Sequence, residues 1–360
     1  MSFTFSPLMS LGLGTLLFAS ALLLALAIDH YLGEPASRWH PVVWMGCYLG
    51  WAGRLLQRQA CQKPAKVDTR TFWRGALAWC AGAALVLMVA WVLQQALMQL
   101  PELLGPLPGV VLAALGLGLA LKTMLAWAML RSEALAVEAA LAESLPAGRE
   151  RLSWLVSRDV TQLTEAQVRE SAIETLAENL NDSVVAPIFW FVLLGLPGAA
   201  LYRFANTADA MWGYCGVYKG NNWEWAGKWA ARVDDGLSWL PARITAVLLA
   251  GVFGVQSLAR AGAAVIDSAQ DGPQAAPFMV RLRAEAGRTP SPNSGWPMAA
   301  MALALGVSLH KPGVYVLNAA GRQVQAPDTS RAIAYASKVV LASVFIALVA
   351  IIFVATWGVA

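Results

Sequence analysis

Long apolar runs without charge constrain this chain more than any other feature of its sequence. Four such runs occupy residues 11–28, 75–100, 106–130 and 339–358, and only the third contains a charged residue, Lys122. A helix needs about 20 apolar residues to cross a bilayer. Only 13% of the residues are charged, against about 25% in soluble domains. The sequence therefore predicts an all-α, polytopic membrane protein, which we treat as a single integral membrane domain over residues 1–360.

The first apolar run also has features of a signal peptide. Ala25-Leu26-Ala27 resembles a cleavage site, but the first ten residues contain no Lys or Arg. A signal peptide normally carries positive charge there. We therefore expect this run to be kept as a transmembrane helix.

Three shorter apolar runs, at 184–202, 244–258 and 297–309, are interrupted or too short for a clear span. Glycines and prolines in the first of them favour a broken helix. We expect these runs to form re-entrant or half-membrane helices. Such helices occur in membrane proteins where other parts of the protein surround them. If the first two runs instead cross fully, the polar block 203–243 lies outside the cell.

Lys and Arg placement predicts the orientation. The loop 54–74 carries six basic residues and one acid, which marks it as cytoplasmic by the positive-inside bias. The polar helical segment 131–182 is then cytoplasmic as well. If the runs 184–202 and 244–258 are re-entrant, the motif-bearing segments 203–243 and 281–297 also lie on the cytoplasmic side. The predicted membrane is the inner membrane.

Composition and motifs exclude several classes of function. The net charge is +4, and no basic run with interleaved aromatic residues points to nucleic acid. The four cysteines and three histidines are scattered, so they predict neither a disulfide framework nor a zinc site. The chain has no GxxxxGK[ST] string, which excludes a P-loop.

The segment 165–182 carries the most suggestive row of side chains. Glu170, Glu174 and Glu178 recur every four residues, and Asp182 continues the row. Carboxylates four apart on a helix repel each other by about 0.2–0.5 kcal/mol per pair. A solvated acidic face is one interpretation. The other is a site for Mg²⁺, which prefers oxygen ligands, held by Glu174, Glu178 and Asp182.

Further polar residues accompany this row. The loop RTPSPNSGWP at 288–297 has the composition of an anion-binding turn, although a plain turn is equally compatible with it. The candidates for catalysis are Glu174, Glu178, Asp182 and Asp234. The candidates for substrate binding are Asp29, His40, Arg158, Asp159, Asn179, Asn206, Asp209, Arg232, Asp235, Arg243, Arg288, Ser291, Asn293 and Ser294.

Several strings together resemble one known family. In order, they are DHYLGEPASRWHP, SRDVTQLTEAQVRESAIETLAENLNDSVVAPIFW, NTADAMWGY, WAARVDDGLSWLPARITA and SPNSGWPMAAMALALGV. They resemble the motifs of the cobinamide-phosphate synthase family of cobalamin biosynthesis over residues 29–320. The family pattern differs at some positions: it has Gly where Ser157 and Ser183 stand, His at Thr289, an acid at Met298 and a Gly pair near His310-Lys311. Altered substrate choice and loss of catalysis both remain open.

The resemblance implies a ligase in the inner membrane. It would join adenosylcobyric acid to aminopropanol or aminopropanol phosphate through an amide bond, using ATP and Mg²⁺. Its implied partners are the lipid bilayer, other membrane enzymes of cobalamin assembly and a second copy of the chain. A non-catalytic membrane sensor or scaffold of the same fold is the first alternative. A corrinoid transporter is the second, with its broken helices lining a path.

Overall fold

The computed structural model describes residues 7–57, 67–263 and 277–357, and the protein is helical over most of them. Three of the six basic residues of the predicted cytoplasmic loop, Arg58, Lys63 and Lys66, lie outside the described residues. The helices are α1 (Pro7–Leu32), α2 (Pro41–Gln57), α3 (Thr69–Met98), α4 (Leu100–Leu104), α5 (Pro106–Lys122), α6 (Trp127–Glu143), α7 (Leu145–Ser153), α8 (Glu165–Leu180), α9 (Ala186–Trp212), α10 (Lys228–Ala263), α11 (Phe278–Ala286), α12 (Gly295–Leu305) and α13 (Ala326–Trp357).

Two short antiparallel hairpins interrupt the helices. The strands are β1 (Val217–Tyr218), β2 (Asn221–Asn222), β3 (Leu309–Lys311) and β4 (Tyr315–Leu317). In the second hairpin His310 pairs with Val316. The predicted all-α class is confirmed, with these hairpins as its small exceptions.

Six helical stretches of the described chain are long and apolar enough to cross a membrane, judged by length and composition. They are Gly12–Leu32, Thr69–Leu104, Pro106–Glu143, Glu165–Trp212, Lys228–Val255 and Ala326–Val354. The last of the three shorter apolar runs, at 297–309, contains most of the short helix α12, whose residues are nearly all buried. The multi-pass class is therefore confirmed, and the run at 297–309 forms a helix too short to cross.

Contacts group the chain into two compact units. The first consists of Met1–Ala126, Ala186–Leu237 and Val344–Ala360. In this unit α1 packs closely along α5. Gly118 makes this approach possible, because a Cβ there would lie 3.0 Å from the Cβ of Leu24 and 3.1 Å from the carbonyl oxygen of Ala21. Small residues at a helix contact are typical of membrane helix pairs.

Helix α9 of the first unit is broken at Gly195, as the sequence predicted. Gly195 adopts φ 67° and ψ −155°, a conformation that essentially only glycine reaches. Pro197, two residues later, lacks an N–H to donate to the preceding turn. The side chain of Gln94, from α3, accepts a hydrogen bond from the Leu196 N–H at 2.8 Å. The backbone group freed by the break is thus satisfied by a neighbouring helix, as hydrocarbon surroundings require.

The second unit consists of Trp127–Val185 and Ser238–Ser343. Helices α6, α7 and α8 enclose an apolar core, and α11 packs on α12. The core residues are Val137, Leu141, Leu152, Val160, Leu163, Val168 and Ala172. Arg169 of α8 pairs with Glu138 of α6 at 2.9 Å, and Thr329 of α13 donates to the same carboxylate. These polar contacts fix α8, the helix that carries the acidic row.

Candidate active site

The sequence sets both ends of α8. Thr164 and Gln167 form a capping box, in which each side chain binds the other residue's backbone N–H. Such a box satisfies two of the donors that a helix start leaves free. At its other end α8 continues into a π-helical turn over Asn181–Val185. Single π turns inside helices are frequent at functional sites.

The acidic row is divided by burial. Glu170 and Glu174 are each 3% exposed, whereas Glu178 and Asp182 are half-buried. The interpretation of a solvated acidic face is therefore wrong for the first two residues. Buried carboxylates persist only with partners, and the structure supplies partners for both.

Arg158 is the partner of Glu174. Its Nη2 donates to Glu174 Oε2 at 3.0 Å and to Ser171 Oγ at 2.7 Å. Its Nη1 is buried and has no hydrogen-bond partner among the described residues. A buried donor atom without a partner is costly, and a guanidinium N–H matches an anionic oxygen well. The predicted role of Arg158 in phosphate or carboxylate binding fits this geometry.

Tyr315 of β4 lies near the same carboxylates. Burial raises the pKa of its phenol, and the charges of Glu174 and Glu178 raise that pKa further. Its hydroxyl donates to Met298 Sδ at 3.6 Å. Tyr315 therefore stays protonated at neutral pH and can act as a hydrogen-bond donor.

Glu170 binds the other strand of the hairpin. Its Oε2 accepts the backbone N–H of His310 at 3.0 Å and lies 3.1 Å from His310 Nδ1. A cavity of about 770 Å³ opens beside this pair, between the first half of α8 and the hairpin β3–β4. It is large enough for a small-molecule ligand.

The acidic row fits a metal ion only in part. No group of three or more His, Cys, Asp or Glu side chains converges as a metal site would among the residues that the structure describes. Glu174 is already neutralised by Arg158. Mg²⁺ commonly uses one or two carboxylates together with water and substrate phosphates. The residues that would hold such an ion are Glu178 and Asp182, so Glu174 is the weaker part of the predicted trio.

Asp182 is oriented by a short hydrogen-bond chain. Thr245 of α10 donates to Asn181 Oδ1 at 3.2 Å, and Asn181 Nδ2 donates to Asp182 Oδ1 at 2.8 Å. Asn179, another candidate, donates to the carbonyl oxygen of Thr175 at 3.0 Å. Asn181 thus holds the carboxylate of Asp182 in place through a hydrogen bond.

Two other candidates, Arg243 and Asn293, meet each other. Arg243 Nη1 donates to Asn293 Oδ1 at 3.2 Å and to the carbonyl oxygen of Trp239 at 2.6 Å. Its guanidinium lies 4.1 Å from the centroid of the Trp239 ring and 4.9 Å from that of Trp296. Arg243 is thus a structural anchor of the loop 288–297.

Within that loop the polar groups satisfy one another. Ser291 Oγ accepts the backbone N–H groups of Asn293 and Ser294, each at 3.2 Å. Arg288 is exposed and pairs with Glu285 at 3.0 Å. These contacts are those of a well-ordered turn, and phosphate binding by the loop remains a prediction. Asp159, also exposed, accepts the backbone N–H of Thr161 at 2.9 Å in a local turn.

In the first unit, Asp29 and His40 belong to one buried ion network. Lys122 Nζ lies 2.9 Å from Asp29 Oδ1 and 2.7 Å from Glu34 Oε1. His40 Nε2 lies 3.1 Å from the other oxygen of Glu34. Burial raises the pKa of Glu34, but hydrogen bonds from His40 and Lys122 and their charges outweigh it and lower that pKa. Asp29 thus ties α1 to α5, and His40 binds Glu34, the residue of the loop 33–40 that pairs with Lys122 at the end of α5.

The remaining candidates also lie in the first unit. Asn206 and Asp209 are half-buried on α9, and Asp234 and Asp235 are half-buried on α10, where Arg232 is exposed. Their roles in substrate binding and, for Asp234, in catalysis remain predictions.

The sequence prediction missed the hairpin side chains His310, Lys311 and Tyr315. They line the cavity beside α8, at least 140 residues along the chain from Glu170. The sequence signal was the His310-Lys311 pair itself, at a point where the family pattern has glycines.

Comparisons with known proteins place this chain among proteins of one family. The model of the CobD/Cbib protein family matches residues 22–354. The cobalamin biosynthesis protein CobD of Chromobacterium violaceum is 41% identical over 293 residues, which cover 79% of each chain. A probable cobalamin biosynthesis protein CobD of Methanothermobacter thermautotrophicus is 40% identical, over 83% of this chain and 86% of that protein. No solved structure matches this chain.

The match spans most of the sequence and several similar relatives. The chain belongs to the CobD/Cbib family.

Proposed function

We propose that this protein forms an amide bond between the carboxylate of adenosylcobyric acid and aminopropanol or aminopropanol phosphate, at the expense of ATP. Membership of a family whose relatives are named cobalamin biosynthesis proteins supports a role in cobalamin biosynthesis. The observation that carries the finer proposal is the buried, unpaired Nη1 of Arg158, next to Glu174. It offers a charged donor to an anionic substrate.

The chemistry explains why such a donor is useful. A carboxylate is a poor electrophile, so it must first become an acyl phosphate or an adenylate. Negative charge builds on the transferred phosphoryl group, and preorganised donors stabilise it. Arg158 would bind phosphate or carboxylate oxygen, and Tyr315 would donate a further hydrogen bond. Mg²⁺, held by Glu178 and Asp182, would offset phosphate charge when bound.

The proposed location is the inner membrane, with the site facing the cytoplasm. ATP and corrinoid precursors are present on that side, and the basic residues near the helix ends favour it.

The test is an assay of the purified, full-length protein in detergent with adenosylcobyric acid, ATP, Mg²⁺ and each of the two amines. Formation of adenosylcobinamide or its phosphate supports the proposal. Arg158→Gln should reduce turnover strongly, whereas Arg131→Gln, an exposed position on α6, should not. Absence of product with every amine would refute it and would favour the sensor or scaffold. Corrinoid uptake by proteoliposomes without product would favour the transporter.

A further inference from the structure

A positioned histidine faces the cavity beside α8. The cavity is lined by Gln167 and Glu170 of the helix and by Ser308, His310 and Lys311 of the hairpin segment. The His310 side chain is 43% exposed, whereas that of Glu170 is 3% exposed. A buried carboxylate thus holds an accessible imidazole.

The hydrogen bonds assign the free nitrogen of this imidazole. His310 Nδ1 lies 3.1 Å from Glu170 Oε2, and because an ionised carboxylate only accepts, the shared proton is on Nδ1 whenever Glu170 is ionised. In the neutral ring the other nitrogen, Nε2, then has a lone pair. Nε2 lies 3.4 Å from Ser308 Oγ, and Ser308, like His310, lines the cavity. This is the arrangement by which a carboxylate orients a general base.

Among the described residues in and next to the cavity, the other titratable groups are less suited to accept a proton. On the hairpin, a charged Lys311 can only donate hydrogen bonds. Burial and the charges of Glu174 and Glu178 raise the pKa of the Tyr315 phenol, which stays protonated. On α8, Glu170 is committed to His310. Arg158, before α8, holds Glu174.

We propose that the cavity receives the primary amine substrate and that His310 Nε2 accepts its proton during amide formation. This inference rests on the proposed function. The amine nitrogen forms a bond to the carbonyl carbon of the activated corrinoid acid. The bond from that carbon to the activating phosphate oxygen breaks, and the phosphate or nucleotide leaves with the electron pair. The nitrogen loses its proton to His310, which makes His310 a catalytic residue and Glu170 a positioning residue.

Three variants of the full chain test this inference in the amide-forming assay. His310→Ala should lower kcat by about a hundredfold, the usual contribution of a general base, and leave KM for the amine within about twofold. Added imidazole should restore much of the lost turnover. Glu170→Gln should lower kcat less, and the double variant should be no slower than His310→Ala, because Glu170 acts through His310. His30→Ala, an exposed histidine on α1, should match the wild type.

The outcomes separate the two proposals. If the wild type forms no amide, the proposed function fails and this inference fails with it. If the wild type is active, two results overturn the inference alone: His310→Ala keeps its kcat, or it loses kcat without rescue by imidazole. Additive losses in the double variant would assign Glu170 a separate, structural role and would also overturn it.

Discussion

The break in α9 makes a quantitative prediction about stability. In Gly195→Ala, the new side chain must adopt φ 67° and ψ −155°, which costs about 1–3 kcal/mol. Its Cβ would also collide with the side chain of Gln94. Displacing that side chain removes its hydrogen bond to the Leu196 N–H, worth about 0.5–1.5 kcal/mol. We expect a total loss of about 1.5–4.5 kcal/mol in the free energy of unfolding.

The assay is reversible unfolding in mixed micelles by increasing SDS, followed by tryptophan fluorescence. The control is Gly251→Ala, because Gly251 lies on α10, where an added Cβ would meet open space and alanine favours the helix. Gln94→Ala isolates the hydrogen-bond part, since it leaves the Leu196 N–H without this acceptor. An unfolding free energy of Gly195→Ala equal to that of the wild type would refute the reasoning, because it would mean that the break does not need glycine.

Three further results are expected. Glu178→Gln should reduce turnover and weaken its dependence on Mg²⁺, and unchanged values of both would mean that the acidic row holds no metal. With the native cysteines removed, Ser153→Cys and Val217→Cys should resist an impermeant thiol reagent added to intact cells, and labelling of either would overturn the predicted cytoplasmic placement. The pKa of Glu34 is lowered, so its ion pairs stabilise the fold at neutral pH and are lost as the pH falls below the ordinary glutamate pKa of about 4.3. On acidification, Glu34→Gln should therefore lose less unfolding free energy than the wild type or the control Glu102→Gln. Equal acid sensitivity of the three proteins would contradict this.

Local sequence signals predicted local features well. The four-residue spacing of glutamates predicted α8, because one helix face repeats at that interval. Gly195 and Pro197 predicted the break in α9, because both disrupt the helical backbone directly. These features depend on residues close together in the chain, so the sequence alone could reveal them.

Features that depend on distant residues were not predictable in the same way. The strands of the hairpin at 309–317 have three residues each, too few to show an alternating pattern. The pairing of Glu170 with His310 joins positions 140 residues apart. Lys122 was seen as a charge within an apolar run, but its partners Asp29 and Glu34 lie far earlier in the chain.

The ion pair between Lys122 and Asp29 has a consequence for how the protein enters the membrane. Each side chain is almost wholly buried, at 2% and 1% exposure, and a charge that enters a bilayer without a partner is costly. Helix α1 leaves the ribosome about ninety residues before Lys122 does. We therefore expect the insertion machinery to retain α1 near its lateral exit until α5 arrives, so that the two helices enter the lipid as a pair. Removing the charge of Lys122 should leave Asp29 without this partner and delay the insertion of α1, whereas without Asp29 the ammonium of Lys122 keeps its contact with Glu34.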